Sequence, residues 1–319
     1  MTTEDDDKPP MDKRQERRTS EAWRISTNPA TSEDMAFLAR EFILCTLPHR
    51  NPGDVPAWSR TNGNLTLTIR PGWNHDKKVA YGYPYGTIPR LLLVWIVTEI
   101  VRTKNRRLQL GNSLSAFMAT LGLNPSNGGT GAKRSDARRL REQMERLFRA
   151  ILSFDYSMKG DGRKGNAWLD MQVAPKGVLW WNENVTDEDA LWGSWIEVGD
   201  QFYQAVMSEP TPLDVRILKH VKHSSMAIDL YTIINREAYR AHKAGRARFL
   251  AWEWLHAQIG NEYGDLRDFR RAALPQIKAL LDVHSGLVVS QQRGRTGQKS
   301  GLWVSNLSTP SIDPNTKFR

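Results

Sequence analysis

The chain has 319 residues, with 45 Lys and Arg against 35 Asp and Glu, a formal net charge of +10 and a pI near 9.7. An apolar share of 39% is enough for real cores and excludes wholesale disorder. A single cysteine, Cys45, excludes a disulfide scaffold and a cysteine-rich zinc site. The basic surplus points to an anionic partner, nucleic acid first.

The N-terminus, with Glu4, Asp5, Asp6 and Asp7 and then Arg17 and Arg18, lacks the apolar core of a signal peptide. Residues 1–34 are polar, carry opposed charges and three prolines, and read as a flexible tail. Residues 35–48 are the first apolar segment. The strongest apolar run, 91–97, is far shorter than the roughly 20 residues of a membrane-spanning helix, so a cytoplasmic protein with no membrane partner is expected. Leu65, Leu67 and Ile69 alternate with Thr66 and Thr68, which predicts a strand over 64–70, ended by Pro71-Gly72. Pro89 suits the first turn of a helix, and the segment behind it is apolar nearly all round, so it belongs in a core. Ser113 is placed to cap a short helix carrying Leu114, Phe117, Met118 and Leu121, stopped by Gly122.

A glycine-rich turn at 124–131 precedes a helix expected from Lys133 onward. Its apolar face holds Leu140, Met144, Leu147, Phe148 and Ile151, and Arg134, Arg138 and Arg141 recur on another face. Residues 131–152 hold seven basic and three acidic side chains, a net of +4. Two strand-like runs, 151–158 and 167–173, flank GDGRKG. Helix, turn, basic helix and hairpin is the sequence shape of a winged helix-turn-helix. The order then recurs. An amphipathic helix over 225–239 leads to a short helix from Trp252, stopped by Gly260. A second basic helix follows, capped by Asp265 and carrying Phe269, Ala273, Ile277 and Leu280 on its apolar face. Strand-like runs at 287–291 and 301–304 flank RGRTGQKS. Pro275 predicts a kink in the second basic helix. Two prolines place a linker at 208–212. The expected fold is α+β: two tandem winged-helix domains, 35–207 and 208–306, with flexible tails at 1–34 and 307–319.

The blocks YGTIPRLLLVWIVTEIVRTK (85–104), LQLGNSLSAFMATLGL (108–123) and RRLREQMERLF (138–148) resemble the plasmid-encoded RepA-type replication initiators. The resemblance is densest over residues 80–155. The second half is similar, more loosely, to the wider class of two-winged-helix plasmid initiators, through SWIEVGDQFYQAVM, LKHVKHSSMAIDLYTII and LRDFRRAALPQIKALL. It implies binding to iterons (direct repeats in a plasmid origin), opening of AT-rich DNA, and recruitment of a host initiator and a replicative helicase. It also implies a homodimer in equilibrium with monomer, with the first domain as the dimerising half, and repression of the protein's own promoter.

From the residues themselves, DNA contact falls to Lys133, Arg134, Arg138 and Arg141 on the first basic helix. On the second it falls to Arg267, Arg270 and Arg271, with Gln276 and Lys278 further along. An arginine fork bonds guanine O6 and N7 together, or a phosphate, and recognition helices present their N-terminal turns to base edges. The hairpin tips offer Lys159, Arg163 and Lys164, then Arg293, Arg295 and Lys299, to phosphate or the minor groove. The plainer reading of each set is a solvated face or turn.

No cofactor is expected. GDGRKG separates two strands rather than opening a helix, and GGTGAKRS lacks the Gly-Lys-Ser/Thr of a phosphate loop. No His-x-His pair supports a metal-dependent nicking enzyme, and His220 and His223 have no acidic or cysteine partner placed around them. A winged-helix transcriptional regulator remains the alternative. Of the 12 tryptophans, Trp95, Trp252 and Trp254 read as core. Trp180, Trp181, Trp192 and Trp195 either pack at the domain junction or stack unpaired bases of single-stranded origin DNA.

Overall fold

The computed structural model describes residues 13–123, 136–160, 163–180, 193–260, 262–294 and 298–316. Helix α1 (Lys13–Thr27) leads through a 3-10 turn (Ser32–Asp34) into strand β1 (Met35–Ala39) and helix α2 (Arg40–Leu44). Hairpin β2 (Trp58–Asn62) and β3 (Leu65–Arg70) and a small ribbon, β4 (Trp73–Asn74) and β5 (Val79–Ala80), precede α3 (Thr87–Thr103). Then come β6 (Arg107–Gln109), α4 (Gly111–Thr120), α5 (Asp136–Arg149) and the long hairpin β7 (Ile151–Gly160) and β8 (Arg163–Gln172). Strands β9 (Lys176–Val178) and β10 (Trp195–Glu197) and helix α6 (Asp200–Ser208) follow. The rest is β11 (Pro210–Asp214), α7 (Val215–Val221), α8 (Ser225–Ala244), β12 (Arg248–Ala251), and α9 (Trp252–Leu255) with a π-type turn (His256–Gly260). Helix α10 (Leu266–Val283) and hairpin β13 (Val289–Gln292) and β14 (Gly301–Val304) complete it.

The fold is α+β with open sheets. Their orders are β2-β3-β7-β8, β6-β10-β9, β12-β14-β13, β1-β11 and β4-β5. Helix α3 is buried without a break from Ile88 to Val97, as its all-round apolar pattern predicts. Leu65, Leu67 and Ile69 of β3 point into the core, and Leu67 and Ile69 pair with Phe154 and Leu152 of β7. That pairing ends the first basic helix at Arg149. Ile151, read as part of its apolar face, is the first residue of β7. Ser113 does not cap α4: the cap position is Leu110, and Ser113 lies inside the helix. Gly122, at φ 67°, stops it as expected.

Three segments read as loose are tied down. Within 1–34, α1 inserts Ala22 and Ile25 into the core, an apolar pair three apart that a charge-rich helix conceals. The supposed linker at 208–212 lies largely in β11, which runs antiparallel to β1 from Met35↔Asp214 to Ala39↔Pro210. Its prolines are tolerated because β11 is the edge of a two-stranded sheet. Within 307–319, Ile312 is buried, the Ser311 amide donates to Asn235 at 2.7 Å, and the Ser311 hydroxyl meets that of Tyr231 at 2.8 Å. Pro275 sits inside a continuous α10, on its exposed side, where water can take up the carbonyl it leaves unbonded.

Replacing Ile312 by Ala should lower unfolding stability by about 2–4 kcal/mol in urea titration, the cost of emptying a buried site. A flexible tail would give no change.

Candidate nucleic-acid interface

Helix α5 buries Leu140, Met144, Leu147 and Phe148 and leaves Arg138 and Arg139 exposed. Arg138 pairs with Glu142 one turn on (3.0 Å), and Arg141 is half-buried. Exposed pairs of this kind contribute at most about 1 kcal/mol, so a phosphate can recruit the arginine from its glutamate. Arg146 and Arg149 cover Tyr85 and Tyr81, at 5.3 and 5.0 Å from the ring centres, and so help hold α5 to the body. Lys133 and Arg134 lie outside the described residues.

Asp265 caps α10 as expected, accepting from the Asp268 amide at 2.7 Å. Arg267 is 85% and Arg271 79% exposed, beside Asp265 (3.7 Å) and Asp268 (3.1 Å). Arg270 departs from them: it is half-buried, with its guanidinium 5.6 Å from the Trp252 ring. Lys278 is exposed and Gln276 half-buried.

Hairpin β7–β8 stays in register to Lys159↔Lys164 and Gly160↔Arg163, and Lys164 is exposed. The side chains of Lys159 and Arg163 are outside the description. On β13–β14, Arg293 and Lys299 are exposed, and Gln292 ties the tip by donating to the Lys299 carbonyl (2.9 Å) and accepting from the Trp303 indole (2.7 Å). Arg295 lies outside the described residues, as do Trp181 and Trp192. Trp95 and Trp252 are buried, and Trp254 packs against the core. Trp195 lies under the Arg107 guanidinium at 4.0 Å, whereas Trp180 is 61% exposed.

Behind these surfaces lies a buried charge network that the sequence reading missed. Arg90 of α3 grips Asp229 of α8 with two bonds, Nε to Oδ1 and Nη2 to Oδ2, both 2.7 Å. Its other donors reach the carbonyls of Leu47, Pro48 and Gly86. Arg60 of β2 reaches Thr46, the Gln258 carbonyl (3.1 Å) and Glu262 (3.6 Å). Glu262 also accepts from the His49 amide, and Gln258 donates to the Ile43 carbonyl. His49 contacts the Ile259 carbonyl through Nε2 and the Ser225 hydroxyl through Nδ1, both at 2.7 Å. A carbonyl can only accept, so Nε2 carries the proton and Nδ1 accepts. The available signal was a lone Arg90 and a lone Asp229, each inside an apolar helix.

Burial, with Arg90 and Arg60 adding to it against the opposing Asp229, pushes the His49 pKa down to about 3. Burial likewise pushes His284 down to about 4. Arg60 falls to about 10, chiefly by burial, and stays charged at neutral pH.

A family model described as plasmid encoded RepA protein matches residues 83–254, which contain α3, α5, the β7–β8 hairpin and α8. The chain belongs to that family. It is a plasmid replication initiator acting at the origin, a DNA-binding protein. No curated protein sequence matches this RepA-type chain. Among solved structures it is similar to SeMet derivatives of domain 2 and domain 3 of RctB. The identity is 10%, over 81% of this chain and 93% of that one, with a TM-score of 0.51, a likeness of fold. A crystal structure of RctB domains 2–3 (RctB-155-483) matches at 11% identity over 83% of this chain and 95% of that one, with a TM-score of 0.49. Among the described residues no helix is long and apolar enough to cross a membrane, and no cluster of His, Cys, Asp and Glu could hold a metal.

Two stability predictions separate surface from interior. Asp229→Ala, which strands Arg90, should cost about 3–5 kcal/mol, whereas Arg138→Ala should change stability by about 0.5 kcal/mol or less; urea titration compares them. Because His49 and His284 are held neutral in the fold, the unfolded chain takes up their protons first. Their stabilisation is complete above pH 6.5 and is withdrawn as pH falls toward about 4 for His284 and about 3 for His49, at up to about 1.4 kcal/mol per pH unit for each. An unchanged urea midpoint between pH 7 and pH 5 would contradict this.

Proposed function

We propose that this RepA-type chain recognises iterons in double-stranded origin DNA with two winged-helix domains, 35–207 and 208–306, and in doing so opens the origin. The observation that carries this reading is the repeated order of elements, with a basic helix ahead of a hairpin each time. In the second half α8, β12, α9, α10, β13 and β14 follow one another, and the sheet order β12-β14-β13 is that of a winged helix. The first half repeats the order as α3, β6, α4, α5, β7 and β8, but β6 pairs with β10, and the β7–β8 hairpin joins β3. Helix α5, through Arg138 and Arg141 with Lys133 and Arg134 ahead of it, reads one part of the repeat. Helix α10, through Arg267 and Arg271 with Arg270, Gln276 and Lys278, reads the other. The tips with Lys159, Arg163 and Lys164, and with Arg293, Arg295 and Lys299, hold phosphate.

Recruitment of a host initiator and a replicative helicase, a homodimer exchanging with monomer and self-repression follow from the family reading; a cytoplasmic location is supported by the shortness of the apolar runs. The exposed face of Trp180 supports a further contact with unpaired bases.

A footprint of the purified protein on its own plasmid's origin tests the reading. Protection should fall on direct repeats; protection confined to an inverted repeat at a promoter would favour a plain repressor. With about six phosphate contacts, log K against log salt should have a slope near −5. A slope near zero would contradict the basic faces. Arg267→Ala should cost about 1–3 kcal/mol and relax specificity at one base position, while Lys164→Ala should weaken all sequences alike. Trp180→Ala should weaken single-strand binding alone.

A further inference from the structure

Each of the two basic helices is tied to the buried charge network. Helix α5 packs on α3, the helix that carries Arg90. Phe269, in the first turns of α10, rests on His256 and Tyr263, at 5.3 and 5.9 Å between ring centres. Those two residues bracket Gln258 and Glu262, which Arg60 and the His49 amide bond to from the first half. An apolar contact between the halves would tolerate sliding. A guanidinium bonded to both oxygens of one carboxylate has a single geometry, and leaving it costs a stranded charge.

We propose that the Arg90–Asp229 pair and the Arg60–Glu262 contact are positioning groups. They fix the separation and angle of α5 and α10, and so decide which spacing between sub-sites in the origin the chain accepts. This rests on the two-reader function proposed above. On that basis neither pair touches DNA, yet both act on specificity, by refusing sites whose two parts are a few base pairs too far apart or turned out of phase.

The test measures the affinity of the full-length chain for one origin repeat, and for repeats with one to five base pairs inserted between the sub-sites mapped by footprinting. Five pairs turn one sub-site about half a helical turn away. The unaltered chain should lose at least about ten-fold in affinity across the series, the loss of a base-reading contact. Two variants report on the network. Asp229→Asn keeps the volume and one acceptor but breaks the two-pronged bond. Glu262→Ala removes the carboxylate shared by Arg60 and the His49 amide and leaves the bonds to the Gln258 and Ile259 carbonyls in place. Either variant, folded by circular dichroism and cooperative in melting, should bind the natural repeat more weakly and show an insertion penalty reduced by about three-fold or more. A merely structural role would lower affinity for all spacings equally.

A folded variant with an unchanged penalty overturns the proposal. If neither variant folds, the insertion series on the unaltered chain decides: a steep series supports a fixed separation and a flat one overturns it. Failure of the unaltered chain to bind any repeat overturns the two-reader function itself. Binding that ignores spacing overturns only the positioning role.

Discussion

The Arg90–Asp229 pair is the constraint on which the rest of the molecule depends. Both side chains are 5% exposed. Burying two charges costs several kcal/mol each unless geometry and further hydrogen bonds offset it. Here the offset is complete at the arginine, whose remaining donors go to three backbone carbonyls of the 47–48 segment and Gly86. One guanidinium thereby joins the start of α3, the segment after α2, and α8. The chain is held as one packed body at this level, with α3 and α8 as its two central helices.

Around that centre, other contacts cross between the early and late parts of the chain. Strand β11 completes a sheet with β1, and Lys222 after α7 donates to the Leu121 carbonyl at the end of α4. Ser285, past α10, donates to the Ser26 carbonyl of α1. The terminal segments act as straps over the second half. A boundary near 208 therefore divides the chain by order of elements, while the packing runs across it.

The net charge of +10 divides by role. Arg60, Arg90 and Arg216 are structural cations, the last held by Asp214 at 2.7 Å. Arg107, Arg146, Arg149 and Arg270 cover aromatic rings. Arg138, Lys164, Arg267, Arg271, Arg293 and Lys299 remain at the surface, where their partners are weak or shared with solvent. Counting arginines on a helical wheel does not separate these groups. The second basic helix illustrates this: Arg270 and Arg271 are neighbours in sequence, yet one lies over Trp252 and the other stands 79% exposed.

Local pattern was sufficient for β3, α8, α10 and both hairpins, whose apolar stripe or alternation one secondary structure buries, and for α3, whose Pro89 start and long all-round apolar run mark a buried helix. The Asp265 cap and the Gly122 stop were equally legible, since each works within a few residues. The basic faces of α5 and α10 and the family resemblance of 85–148 also belong to the sequence. The tertiary structure decided where the apparent tails and linker go, because Ala22, Ile25 and Ile312 are too sparse to mark a core without the surface they meet. It also decided that the hairpin after α5 joins β3, a pairing across more than eighty residues. It alone brought together Arg90 and Asp229, 139 residues apart. A charge inside an apolar helix announces that it needs a partner; only the packed fold supplies which one.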